Sequence, residues 1–132
     1  PIGATLLSKK VENIFEFGDH GSTFGGNPVC CAGAYNVISR LDEEFLSEVT
    51  RKGKMLVGAL SGSPGIEDIT GMGLMLGLKT KRVAADVIKQ CINDGVLCLS
   101  AKDRVRLLPP LNTPDSLLLR AAEIIKNACK GE

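Results

Sequence analysis

Apolar residues recur along the chain with two different periods, and the switches between them outline the expected elements. From Val29 the first turns, Val29-Cys30-Cys31-Ala32-Gly33-Ala34, are nearly all small, and Val37, Ile38, Leu41 and Phe45 continue an apolar stripe at helical spacing. Asn27 suits an N-cap and Pro28 the first helical position, so a helix is predicted to start there. A second helix is predicted over Phe45, Val49, Leu56 and Leu60, weakened by Gly53 and ended by Ser61-Gly62-Ser63-Pro64-Gly65. Ile66 to Ile69 and Leu74 to Leu78 read as extended segments. A third helix carries Val83, Val87 and Cys91 with Ala84, Ile88 and Ile92, and Asp94-Gly95 closes it. Val96 to Leu99 and Arg104 to Leu108 read as strands joined by a polar turn, and Pro109-Pro110 stops the second. In the last helix Thr113 caps, Pro114 starts, and Leu117, Ala121, Ile125 and Ala128 form the stripe. This order predicts an α+β fold of two layers, a small, mainly antiparallel sheet covered by helices on one face.

Composition narrows the function more than the fold. With 132 residues, 44% hydrophobic and 23% charged, the chain matches an ordinary globular domain with a real core. Sixteen basic against fifteen acidic residues give a net charge of +1, and aromatic residues make up only 4%. Both facts exclude an electrostatic or stacking nucleic-acid binder. No apolar run reaches the length of a membrane helix, and no signal peptide is visible. The cysteines are Cys30, Cys31, Cys91, Cys98 and Cys129, an odd number with no C-x-x-C pair. They are expected to be reduced thiols of a cytoplasmic protein rather than a metal or disulfide framework.

Chemistry concentrates in Gly18-Asp19-His20-Gly21-Ser22-Thr23-Phe24-Gly25-Gly26-Asn27-Pro28. Backbone N–H groups of a glycine-rich turn, with free Ser and Thr hydroxyls, make an anion cradle, and phosphate is the commonest ligand of that kind. The competing reading is a surface loop whose glycines only turn the chain before Asn27. No Gly-Lys-Ser/Thr follows, so it is not a Walker loop. His20, the chain's one histidine, has no evident catalytic partner and is read as orienting the loop. Gly71-Met72-Gly73-Leu74-Met75-Leu76-Gly77 has the wrong spacing and context for a dinucleotide fingerprint, so its glycines are expected to allow a bend or close packing. Arg104 and Arg106 lie two apart on one strand and share a face. Arg104 reads as a solvated edge arginine, and Arg106 is either a second one or presents its fork to a carboxylate. No nucleophile triad, carboxylate pair or metal cluster accompanies them, so these parts amount to half of a site.

In order along the chain, Pro1-Ile2-Gly3-Ala4, the Gly18 to Pro28 loop, Gly71 to Gly77 and Val105-Arg106-Leu107-Leu108-Pro109-Pro110-Leu111 resemble the motifs of the class III pyridoxal-phosphate aminotransferases. The resemblance covers essentially the whole chain, and four ordered motifs are far more specific than any one alone. It implies the C-terminal portion of a fold-type I transferase: residues 1–27 as the end of the large cofactor-binding domain, and 28–132 as the C-terminal small domain. The Schiff-base lysine of the family lies just upstream of Pro1, so no catalytic residue is expected here, and the chain alone is expected to be inactive. Starting inside a motif, without Met, it reads as a piece of a longer protein. Thr23 matches the residue that binds the phosphate of pyridoxal 5'-phosphate in the partner subunit of a homodimer. Ser22 matches a neighbour that touches an acylated ornithine, and Arg106 the arginine that binds a substrate carboxylate. The implied reaction moves an amino group between N-acetylornithine and 2-oxoglutarate, as in arginine biosynthesis. Alternatives are family members acting on ornithine, succinylornithine or 4-aminobutyrate, and a stand-alone phosphate-binding or interaction module without catalysis.

Overall fold

In a computed structural model, residues 2–131 are described, so Pro1 of the first motif lies outside the described residues. The chain divides into two compact units, Pro1–Asp42 and Glu43–Glu132.

The first unit holds a 3-10 turn at Lys9–Val11, a long loop and helix α1, Pro28–Ile38. Helix α1 starts where the sequence predicts. The Asn27 side chain accepts a hydrogen bond from the Cys30 N–H at 3.0 Å, and Pro28 occupies a position whose missing N–H costs nothing. The helix ends earlier than its apolar stripe suggests. Ser39, Arg40 and Leu41 donate back to Tyr35, Val37 and Ile38, tightening the last turn, so Leu41 lies past the helix and Phe45 in the next one. No described residue of this unit is fully buried.

Among the described residues, the second unit contains every fully buried side chain. Helix α2 spans Glu43–Leu60, strand β1 Ile66–Met72, β2 Met75–Thr80, helix α3 Ala84–Asn93, β3 Leu99–Ala101, β4 Arg104–Leu107 and helix α4 Asp115–Lys130. The four strands form one antiparallel sheet in the order β1-β2-β4-β3. Leu76 and Leu78 of β2 and Val105 and Leu107 of β4 face the helices, and their alternating neighbours face away. Leu56 and Leu60 from α2, Val87 and Cys91 from α3, and Leu118 and Ile125 from α4 complete the core. Each large side chain so buried contributes about 1.5–3 kcal/mol. The predicted two-layer α+β architecture is therefore present, with the sheet covered on one face.

Glycines do what the Gly71 to Gly77 segment suggested. Gly73 turns the β1–β2 hairpin at φ 55°, and Gly53 of α2 presses on it so closely that a Cβ at residue 53 would lie 2.4 Å from the Gly73 carbonyl oxygen. The gap in α2's apolar pattern is thus a contact point.

Local registers differ from the sequence pattern in three places. Helix α3 starts at Ala84, leaving Val83 outside the core at 67% exposure. Strand β3 begins at Leu99 instead of Val96, because Val96 donates to the Cys91 carbonyl and extends the α3 turn. At α4 the Thr113 hydroxyl donates to the Pro110 carbonyl rather than capping, and Pro114 is the cap residue, its carbonyl accepting from Leu117 and Leu118. The buried face of that helix is consequently Leu118, Ala122, Ile125, Ala128 and Cys129, with Leu117 turned out.

Candidate functional site

The glycine-rich loop is held by its own backbone and by the side chains of Asp19 and Asn27. Glu16 donates its N–H to the Asp19 carboxylate at 2.8 Å, Gly18 sits at φ 101°, and His20 packs edge-on against Phe15 with ring centroids 4.3 Å apart. Further on, the Gly25 N–H donates to the Ser22 carbonyl at 3.3 Å, and Asn27 donates from Nδ2 to the Phe24 carbonyl at 2.9 Å. Asn27 therefore joins the Ser22–Gly25 turn to the start of α1. A Cβ on Gly25 would lie 2.9 Å from the Ser22 Cβ, so glycine is what lets the turn close.

The helix terminus itself has little left for a ligand. Pro28 has no N–H, and the Cys30 N–H is taken by the cap. The open donors are in the turn: no hydrogen bond engages the Ser22 or Thr23 hydroxyl, or the Thr23 N–H, among the described residues. Both residues are exposed. Two hydroxyls and backbone N–H groups without partners are the donor set a phosphate ester requires, so the residues present fit such a group.

The second constellation lies on the open face of the sheet. Register places Leu99, Arg106, Gly77 and Thr70 in one cross-strand row, and Ala101, Arg104, Lys79 and Asp68 in the next. Arg104 and Arg106 share this face as expected, but Arg104 is not an edge residue. Strand β4 lies between β2 and β3, and the Arg104 guanidinium pairs with the Asp68 carboxylate at 2.8 Å. Lys79 leans toward Glu67 at 4.0 Å. Arg106 differs from both. Its Nε is buried without a hydrogen-bond partner, and no ion pair engages the side chain among the described residues. An unmatched buried donor of a cation is unfavourable, and an arriving carboxylate would satisfy it with a charge-assisted bond.

Ser22 and Thr23 thus belong to the first unit and Arg106 to the second. The sequence pattern missed that Asp68 holds Arg104 and that Gly77 is the cross-strand neighbour of Arg106. Their signal was the alternation of β1 and β2, readable only once the strand order was known. The other titratable cluster is Cys91, Cys98 and Cys129, all buried in the core. Cys98 is pushed up by its hydrogen bond with Cys91 and by burial, Cys91 is lowered by the same bond, and burial pushes Cys129 up to about 11. Neutral thiols in an apolar core are packing groups. No group of metal-ligating side chains occurs among the described residues.

The class-III aminotransferase family model matches residues 1–129. The acetylornithine aminotransferase of Haemophilus ducreyi is 46% identical over 127 residues, covering 95% of this chain and 32% of that protein. Among solved structures, the ornithine aminotransferase from Toxoplasma gondii ME49 superposes with a TM-score of 0.72 at 29% identity, over 88% of this chain and 30% of that one. The N-acetylornithine aminotransferase from Stenotrophomonas maltophilia K279a gives 0.71 at 26% identity, over 79% and 31%. The chain spans about a third of the length of the relatives it matches.

Proposed function

Because the chain belongs to the class-III aminotransferase family, we propose that it is the C-terminal part of an acetylornithine aminotransferase, which moves an amino group between N-acetylornithine and 2-oxoglutarate in arginine biosynthesis. One observation carries the step from family to chemistry: Arg106 offers an unmatched guanidinium donor on a sheet face whose other cations are paired. Ornithine derivatives, glutamate and 2-oxoglutarate all carry the carboxylate that would match it. The choice of acetylornithine rests on the likeness to the Haemophilus ducreyi enzyme.

Pyridoxal phosphate, on which the family depends, supplies an electron sink when bound. Thr23, through its hydroxyl and N–H, would hold the phosphate. Ser22 beside it would meet the substrate's acyl end, and Arg106 would fix the carboxylate and so orient the amino group. The residues of this chain bind and orient; none is assigned a proton transfer, so the chain alone should not turn over. We further infer a homodimer, with Thr23 of one copy serving the cofactor of the other. The exposure of Phe17, Phe24, Val29 and Tyr35 in and after the loop supports this, because large apolar side chains left in water call for a cover. Five unpaired cysteines support a reducing compartment such as the cytoplasm. Residues 1–27 would come from the large domain and 28–132 from the small one.

The test is amino transfer by the full-length protein carrying this chain, with 2-oxoglutarate as acceptor and N-acetylornithine, N-succinylornithine, ornithine or 4-aminobutyrate as donor. The highest kcat/KM is expected with N-acetylornithine, and Arg106→Gln should raise KM for both partners. A preference for 4-aminobutyrate or ornithine would move the protein to another branch of the family. No transfer with any donor would favour a non-catalytic module.

A further inference from the structure

The open face of the sheet carries two arginines, and only one is available. Arg104 does not stand upright in its own row. Its side chain crosses β2 to reach Asp68 at 2.8 Å, and on the way its Nη1 donates to the Gly77 carbonyl at 3.4 Å. Its Cδ passes so near Gly77 that a Cβ there would lie 3.3 Å away. Gly77 is the direct cross-strand partner of Arg106. The Arg104 stem therefore leans toward the row of Arg106, and its own Cβ is only two strand residues away, about 6.6 Å along β4. Its guanidinium is held from that site by one carboxylate, and Asp68 is half exposed.

Charge makes this arrangement consequential. Two unpaired guanidiniums on adjacent rows would attract a molecule with two carboxylates far better than a molecule with one. With Asp68 bound to Arg104, a ligand carboxylate meets a neutralised pair beside the single open cation, Arg106. We propose that Asp68 is a specificity-determining residue: by engaging Arg104 it limits this face to one carboxylate, so that a monocarboxylate amino-acid derivative is not outcompeted there by a dicarboxylate. This rests on the reading of Arg106 as the carboxylate anchor. It assigns to Arg104 and Asp68 a role in choosing between substrate classes.

The test uses the 132-residue chain with labelled arginine side chains, titrated with butyrate and with glutarate while the Nε–Hε signals of Arg104 and Arg106 are followed. In the unaltered chain both anions should shift Arg106 and leave Arg104 in place. In Asp68→Ala, glutarate should shift both signals together, and the glutarate-to-butyrate affinity ratio should rise about tenfold, the worth of one added charge-assisted bond. Asp68→Ala/Arg104→Gln should return the ratio to its starting value, which separates a second arginine from a mere gain of positive charge. Arg104→Gln/Asp68→Asn, which removes both charges together, should leave the ratio unchanged, a check that stands even if Asp68→Ala fails to fold. Arg106 responding with no change of ratio in Asp68→Ala overturns this inference alone. A fall in the ratio in Arg104→Gln/Asp68→Asn also overturns it, because Arg104 was then already open. Silence of Arg106 toward both anions overturns the anchor assignment and this inference with it.

Discussion

The unit that ends at Asp42 and the unit that begins at Glu43 use their apolar residues in opposite ways. In the first, Phe17, Phe24, Val29 and Tyr35 are exposed, and α1 buries no residue. In the second, three helices and a sheet enclose Leu56, Leu60, Leu78, Val87, Val105 and Ile125 almost completely. The hydroxyls proposed to meet a phosphate belong to the unit without a core, and Arg106, the proposed carboxylate anchor, to the unit with one. The packed core therefore lies in the second unit alone, whereas the proposed ligand residues are divided between the two. Arg106 is held by the packing of its own unit, whereas the glycine-rich loop is held by a few local hydrogen bonds.

The largest expected effect tests whether the second unit alone sets stability. Leu78→Ala, at a wholly buried site on β2, should cost about 2–5 kcal/mol in denaturant unfolding of the chain. Phe17→Ala, fully exposed in the first unit, should stay within about 0.5 kcal/mol. Comparable losses from the two would erase the distinction. Next comes Gly53→Ala. Helix propensity alone predicts a gain of about 1 kcal/mol, yet a Cβ 2.4 Å from the Gly73 carbonyl oxygen must push α2 off the hairpin. A net loss of about 1–3 kcal/mol is expected, and a rise in melting temperature would show that the helix and hairpin do not dock.

The third is a pH effect confined to the core. The folded state keeps the Cys129 proton up to about pH 11, while the unfolded chain releases it near its ordinary value of 9.0. The unfolded state then binds fewer protons, so stability is fully present below pH 9.0 and is lost as pH rises toward about 11. The loss is on the order of 2 kcal/mol. Cys129→Ala should flatten that part of the stability–pH curve, and an unchanged slope would assign the effect elsewhere. The smallest effect belongs to the first unit. Asn27→Ala should weaken α1 by about 1 kcal/mol, seen as faster exchange of the Cys30 amide with no shift in unfolding of the second unit. A shift there would mean that α1 contributes to the core's stability.

Much of this architecture was legible in the residue pattern, for identifiable reasons. Asn27-Pro28, the Ser61 to Gly65 cluster and Pro109-Pro110 act through local sterics and caps, and each set a boundary as read. Errors arose where a nearby backbone group competed with the apolar pattern. Val96 looked like a strand residue until its N–H was claimed by Cys91, and Leu117 looked buried until the α4 cap moved to Pro114. At the site, residue type and spacing raised the Ser22-Thr23 loop and Arg106 only as candidates beside plainer readings, the family resemblance gave these residues their expected roles, and alternation put the two arginines on one face. It hid the pairing of Arg104 with Asp68, 36 residues apart, because that contact exists only when β2 lies between β1 and β4.

The position of β4 between β2 and β3 has an evolutionary consequence. Arg106 and its neighbour Val105 point to opposite faces, so a slip of one residue would put a guanidinium into the core and a valine into the site. Ladders on both sides forbid the slip, and an insertion within the strand would carry the same penalty. If Arg106 serves as proposed, a lineage that drifts toward a new substrate must keep its arginine where it stands and change the residues that surround it.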